Sequence, residues 1–202
     1  MYKRTIIPSV FDSANATGFC ICVLFLVVVL FSFVNPVNKI YSCNNGEVSF
    51  VSDAPLEVIK ASSKEMKGAI DATNRTFIFT VDANSFHGFN SGLQREHFNE
   101  NYLETTRYPK ATFQGKFIED IDFNANGTYE IRAKGTLDLH GIKQERILKG
   151  AITIRGDEVS IHSQFTVLLE DHDIKIPRVV YQKISPEIAV TIHADLKPMA
   201  PK

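Results

Sequence analysis

The chain has no tryptophan, only three cysteines among 202 residues, and no run of like charge. Each absence excludes something. The 22 lysines and arginines are offset by 23 aspartates and glutamates and never cluster, so the basic footprint of a phosphate-backbone binder is missing and no nucleic-acid partner is expected. Cys20 and Cys22 sit in an apolar run, where a thiol behaves as a small hydrophobe. Cys43 is left alone, which rules out an internal disulfide or a cysteine-based zinc site in the rest of the chain. The six histidines show neither H-x-H nor H-E-x-x-H spacing, and there is no G-x-S-x-G elbow and no glycine-rich phosphate loop. No metal and no cofactor are expected, and the chain is not read as an enzyme.

What is present begins with Gly18 to Val34, GFCICVLFLVVVLFSFV, which carries no charge and follows Lys3 and Arg4. It is at the short end of the roughly 17–25 residues of a spanning helix and exceeds the roughly 7–15 of a signal-peptide core. Residues 1–43 are therefore read as a signal peptide or a membrane anchor, and residues 44–202 as an exported domain. Lys3 and Arg4 favour a cytoplasmic N-terminus. Ile40-Tyr41-Ser42-Cys43 also loosely resembles a lipoprotein box, so lipidation at Cys43 is a third possible fate of this segment. Membrane contact is expected through this segment alone, if it is not cleaved.

From about Gly46 onward the dominant period is two, the mark of strands with one buried face. Phe77, Phe79 and Val81 alternate with polar or outward residues, as do Tyr129, Ile131, Ala133, Leu137 and Leu139. Further strands are predicted near Val48, Phe113 and Ile152, from Val159 to Leu169, and from Ile188 to Leu196. Asn126-Gly127, His140-Gly141 and Gly156-Asp157 mark reversals. About eight strands in sequence order predict an all-β antiparallel meander, and closure into a barrel would remove its edges. Helix is scarce. Leu93 to Glu104 is the best candidate, ended by Tyr108-Pro109, and Ser62 to Ile70 a weaker one. The first has Leu93, His97 and Asn101 on one face and Phe98 with Tyr102 on the next, a stripe suited to lying across a barrel end.

Period two also directs Phe77, Phe79, Phe113, Phe117, Ile131 and Val190 to the barrel interior. Fifteen phenylalanines suit an apolar tunnel, but a packed core uses them equally well, so an open and a filled lumen both remain open. His97 is placed to bond a ligand head group at the mouth or to anchor its helix to a backbone carbonyl. Asp171, His172 and Asp173 are consecutive and would point to alternate sides of an extended chain, so they are read as a loop rather than a cation site.

Three segments carry a resemblance: REHFNENYLETTRYPKATFQGKF, GTLDLHGIKQERILKGAITI, and FTVLLEDHDIKIP followed by ISPEIAVTIHADL. Together, over about Asn45 to Leu196, they resemble the YceI-like family of exported lipid- or polyisoprenoid-binding proteins. That resemblance implies an elongated, lipocalin-like antiparallel β-barrel with one or two short helices and an apolar lumen holding a long-chain lipid or isoprenoid. It also implies the periplasm or cell envelope of a bacterium. The rival reading is a filled barrel serving as a structural or protein-interaction module in the cell envelope. The oligomeric state is not legible.

Overall fold

Side chains alternate between buried and exposed along eight strands, which close into one antiparallel barrel. The computed structural model describes residues 39–199, so the apolar run with Cys20 and Cys22 lies outside the described residues. The strands are β1 (Ile40–Asp53), β2 (Val58–Asp71), β3 (Thr76–Asp82), β4 (Lys110–Phe117), β5 (Gly127–Leu139), β6 (Ile142–Arg155), β7 (Glu158–Leu168) and β8 (Glu187–Pro198). Each pairs with its neighbour in sequence, and β8 returns to β1 with Val190 opposite Phe50. Closure leaves no edge strand to pair with another chain. The closed antiparallel barrel of about eight strands expected from the alternation, and described as lipocalin-like by the family resemblance, is the fold.

Two hairpins explain why the meander runs without long crossings. His140 and Gly141 both have positive φ, 53° and 72°, the twist a two-residue type I′ turn requires between β5 and β6. Gly156 has φ 61° at the first central position between β6 and β7. Asn126-Gly127, in contrast, is not a two-residue reversal, because β4 ends at Phe117 and a longer connection intervenes.

Three expectations change. β1 begins at Ile40, ahead of the domain start expected at residue 44, with Tyr41 fully buried and Cys43 buried beside it. Ser62 to Ile70 is not a helix but part of β2; Ala61, Ser63, Met66 and Ile70 are its buried positions. The register shifts between Gly46 and Val48, where two steps on β1 face three on β2 from Ser63 to Met66; the extra residue on β2 puts buried Ser63 and Met66 three apart, a spacing that reads as helical in sequence. The helix α1 (Gly92–His97) is capped by Ser91, whose side chain accepts from the Gln94 N–H, and it runs on as a π-helical turn over Phe98–Tyr102. It stops at Leu103, earlier than Tyr108-Pro109, because Glu104 takes φ 45° and turns the chain.

The closed end of the barrel is packed solid. Tyr41 stacks on Phe123 at 5.7 Å, and Ile70, Ile152, Ile154, Val159 and Leu196 are at most 1% exposed. Above them Phe77 is buried against Phe117 and Phe113, at ring-centroid distances of 4.9 and 5.1 Å. Close packing of this kind supplies most of the hydrophobic stabilisation a single-core domain has.

Candidate functional site

The other half of the barrel is hollow. A cavity of about 400 Å³ opens under α1, its walls formed by alternate residues of several strands: Phe50 on β1, Phe79 and Val81 on β3, Leu137 on β5, Val167 on β7 and Val190 on β8. Successive strand residues face opposite sides, so the same alternation that fills the closed end lines the open one. The structure thus combines the two lumen readings: packed below, open above.

α1 roofs the cavity through Phe98, which stacks on Phe50 at 5.4 Å and lies 5.8 Å from Phe86 and 5.0 Å from Phe89. Tyr102 and Leu103 also reach the cavity. Burial pushes the Tyr102 phenol up from its ordinary value, as expected for a hydroxyl taken into apolar surroundings. The Phe98–Tyr102 stripe therefore faces inward, whereas Leu93 on the other stripe is 60% exposed.

Few polar groups reach this space, and most gather at the mouth. Gln94 donates from Nε2 to Glu57 Oε1 (2.6 Å), and Asn90 donates from Nδ2 to the Val58 carbonyl (3.0 Å), which ties α1 to the β1–β2 connection. The Leu56 N–H donates to the Gln182 carbonyl at 2.9 Å and ties that connection to the segment after β7. Glu57, Gln94, His97 and Lys183 all line the cavity. Around them stand four of the most exposed apolar side chains of the described residues: Leu56, Leu93, Val179 and Tyr181.

The expected interior residues divide by depth. Phe79, Phe113 and Val190 line the main cavity. Phe77, Phe117 and Ile131 point inward but lie deeper, buried around a second void of about 40 Å³. His97 is exposed at the mouth. The anchoring histidine is instead His140, whose Nδ1 donates to the His172 carbonyl (2.9 Å) and whose Nε2 meets the Glu104 carboxylate (2.8 Å). Sequence reasoning missed this clasp because Glu104, His140 and His172 are far apart along the chain. Phe50, Phe86 and Phe89 were also missed; Phe50 follows Val48 at period two on β1, a signal that could have found it, whereas Phe86 and Phe89 lie in the connection after β3, where period two gives no guidance.

Asp171, His172 and Asp173 form a turn, as expected, with Asp173 at φ 53°. His172 itself is fully buried, donates from Nδ1 to the Leu139 carbonyl (3.2 Å), and has no hydrogen-bond partner at Nε2 among the described residues. Burial lowers its pKa, because a charged ring would leave a second N–H unsatisfied. The unfolded chain then binds a proton that the folded barrel does not as pH falls through the ordinary value of 6.5. Stability is therefore expected to be level above that value, to fall below it, and to level again once the lowered folded value is passed. Urea midpoints at neutral pH and at mildly acidic pH check this; the drop should be smaller in His172→Asn.

Among the described residues no three His, Cys, Asp or Glu side chains come together in a way that could hold a metal ion. The YceI-like domain description matches residues 42–196. No curated protein matches the sequence. Among solved structures, the chain is similar to a polyisoprenoid-binding domain from Saccharophagus degradans implicated in plant cell wall breakdown, with TM-score 0.67 at 13% identity over 80% of this chain and 99% of that one. It is similar to Burkholderia cenocepacia BcnA, with TM-score 0.61 at 14% identity over 75% of this chain and 95% of that one. A Campylobacter jejuni YCEI protein gives TM-score 0.55 at 14% identity over 71% and 86%. With the barrel, its roofing helix and a match that runs from β1 to β8, the chain belongs to the YceI-like domain family.

Proposed function

We propose that this protein is an exported lipid-binding protein that holds an isoprenoid or other apolar chain in the upper lumen. The observation that carries this reading is the cavity of about 400 Å³ walled almost entirely by apolar side chains and open at one end. Ligand sites of this kind are concave, mostly apolar and supplied with a few polar groups that orient the ligand. Here those groups are Glu57, Gln94, His97 and Lys183, all at the mouth, so a polar head stays near water while the tail goes in. The printed description of the Saccharophagus neighbour as a polyisoprenoid-binding domain agrees with this. Each buried methylene contributes about 0.8 kcal/mol, so affinity comes from the tail and needs no catalytic machinery. The protein binds rather than transforms its ligand.

The charge-free run Gly18 to Val34, preceded by Lys3 and Arg4, supports export to the periplasm or cell envelope of a bacterium. The exposed Leu56, Leu93, Val179 and Tyr181 around the mouth support uptake from a lipid surface, because they gather apolar area where the ligand must pass.

The test is to block the shaft. Val190 sits opposite Phe50 on one side and Phe165 on the other, and all three line the cavity. In Val190→Trp the larger ring occupies space that is empty in the parent, so prenol binding is expected to fall at least about tenfold, roughly the loss of two buried methylenes. Melting temperature should stay within a few degrees. A barrel whose function does not use the lumen would show unchanged binding behaviour in the variant.

A further inference from the structure

The cavity has a built floor. Phe79, Phe113 and Ile192 line both the main cavity and the small void of about 40 Å³ below it, so these three side chains form the partition between the two. Gly68 lies directly opposite Phe79 across β2 and β3. A Cβ at Gly68 would collide with the Phe79 ring, so the missing side chain is what lets that ring lie against the β2 wall. Phe113 pairs with Phe79 from β4, and Phe77 supports both from beneath at 6.1 and 5.1 Å.

The depth above this floor is short. Along β8 the wall runs from Ile188 near the mouth through Val190 to Ile192 at the floor. Four residue steps cover about 13 Å of strand, or about 10 Å along the axis at a typical barrel tilt. An extended hydrocarbon advances about 1.25 Å per carbon, from a bond of about 1.5 Å at a near-tetrahedral angle, so the strand-lined shaft takes about eight to ten carbons. The space under Phe98 and Tyr102 takes a few more. A cavity of about 400 Å³ agrees, since it is near the small end of the roughly 300–1,000 Å³ common for ligand pockets.

We infer that the lumen accepts one short apolar chain, prenyl or acyl, and that Phe79 and Phe113 set its limit at about ten to fifteen carbons. This rests on the lipid-binding function proposed above and narrows it: chains much longer than the shaft leave their ends outside.

The test is equilibrium binding of geraniol, farnesol, geranylgeraniol and octaprenol to the full chain. Affinity should rise from geraniol to farnesol by up to about fourfold per added buried carbon, then level or fall for the two longer prenols. Phe79→Ala/Phe113→Ala joins the two cavities and should move the optimum to geranylgeraniol. Phe113→Leu, a milder trim that keeps the wall apolar, should move it in the same direction by less. Affinity that keeps rising through octaprenol in the parent, or an optimum unchanged in folded floor variants, would overturn the length limit and leave lipid binding intact. Binding of no prenol at all would overturn both.

Discussion

Replacing Phe77 with Ala is expected to remove about 3–5 kcal/mol of unfolding free energy, and with it roughly 6–20 °C of melting temperature for a domain of this size. Phe77 is 5% exposed and touches a nest of rings, Phe79, Phe113 and Phe117, with centroids between 4.9 and 6.1 Å away. Nothing nearby can collapse into the space, because the strand backbones on both sides are fixed by pairing with Ile70 and Gly115. The lost transfer free energy and the cavity left behind therefore add. The comparison is Val190→Ala. That side chain already faces open lumen, so its removal creates little new void and should cost much less. Denaturant melts of the two variants check the division of the interior into a packed half and a hollow half; equal losses would contradict it.

Gly115→Ala is expected to be the most damaging addition of a single carbon. Gly115 and Gly135 are register partners on β4 and β5, and the two backbones approach so closely that a Cβ on Gly115 would strike the Lys134 carbonyl oxygen and come within 2.5 Å of Gly135 Cα. The obstacle is backbone on both counts, so no rotamer change relieves it. Strands β4 and β5 would have to part at a point where β4 also pairs with β3, opposite Phe77. Overpacking of this kind typically costs about 1–3 kcal/mol, and a rigid neighbour puts the loss at the upper end or above. By contrast, Gly92→Ala meets nothing within 4 Å on the first turn of α1 and should be neutral or mildly stabilising. Thermal melts of the pair give the sign of each.

Much of the barrel was legible because period two survives wherever one face is wet and the other dry. The strands around Phe77, Phe113, Ile131, Ile152, Ile161 and Val190 are all where the alternation put them. β2 escaped because it carries an extra residue between Ser63 and Met66, opposite Gly46 to Val48, which breaks the beat and leaves two buried positions three apart, a spacing that also fits a helix. The start of β1 escaped because Ile40 to Cys43 reads as the tail of an apolar N-terminal region, although Tyr41 is one of the most buried side chains in the barrel.

The site was legible by direction and not by level. Alternation tells which side of a strand a residue faces, and Phe77, Phe79, Phe113, Phe117, Ile131 and Val190 do face inward. It does not tell how far along the barrel axis each one lies, since that depends on tilt and on the stagger between strands. Phe77 and Phe79 are two residues apart on β3, yet one belongs to the packed core and the other to the cavity floor. The mouth was less legible still. Glu57, Gln94 and Lys183 come from three separate segments, and only the closed fold brings them together.

Lipid carriage is tested most directly by weighing the intact protein, gently desolvated, as purified from its native host and again after organic extraction. The expected result is one apolar molecule per barrel in the first spectrum, its loss on extraction, its return when farnesol is added, and no such complex for Val190→Trp. A chain that is recovered without lipid from repeated preparations, and that takes up none when prenols or fatty acids are offered, would contradict it.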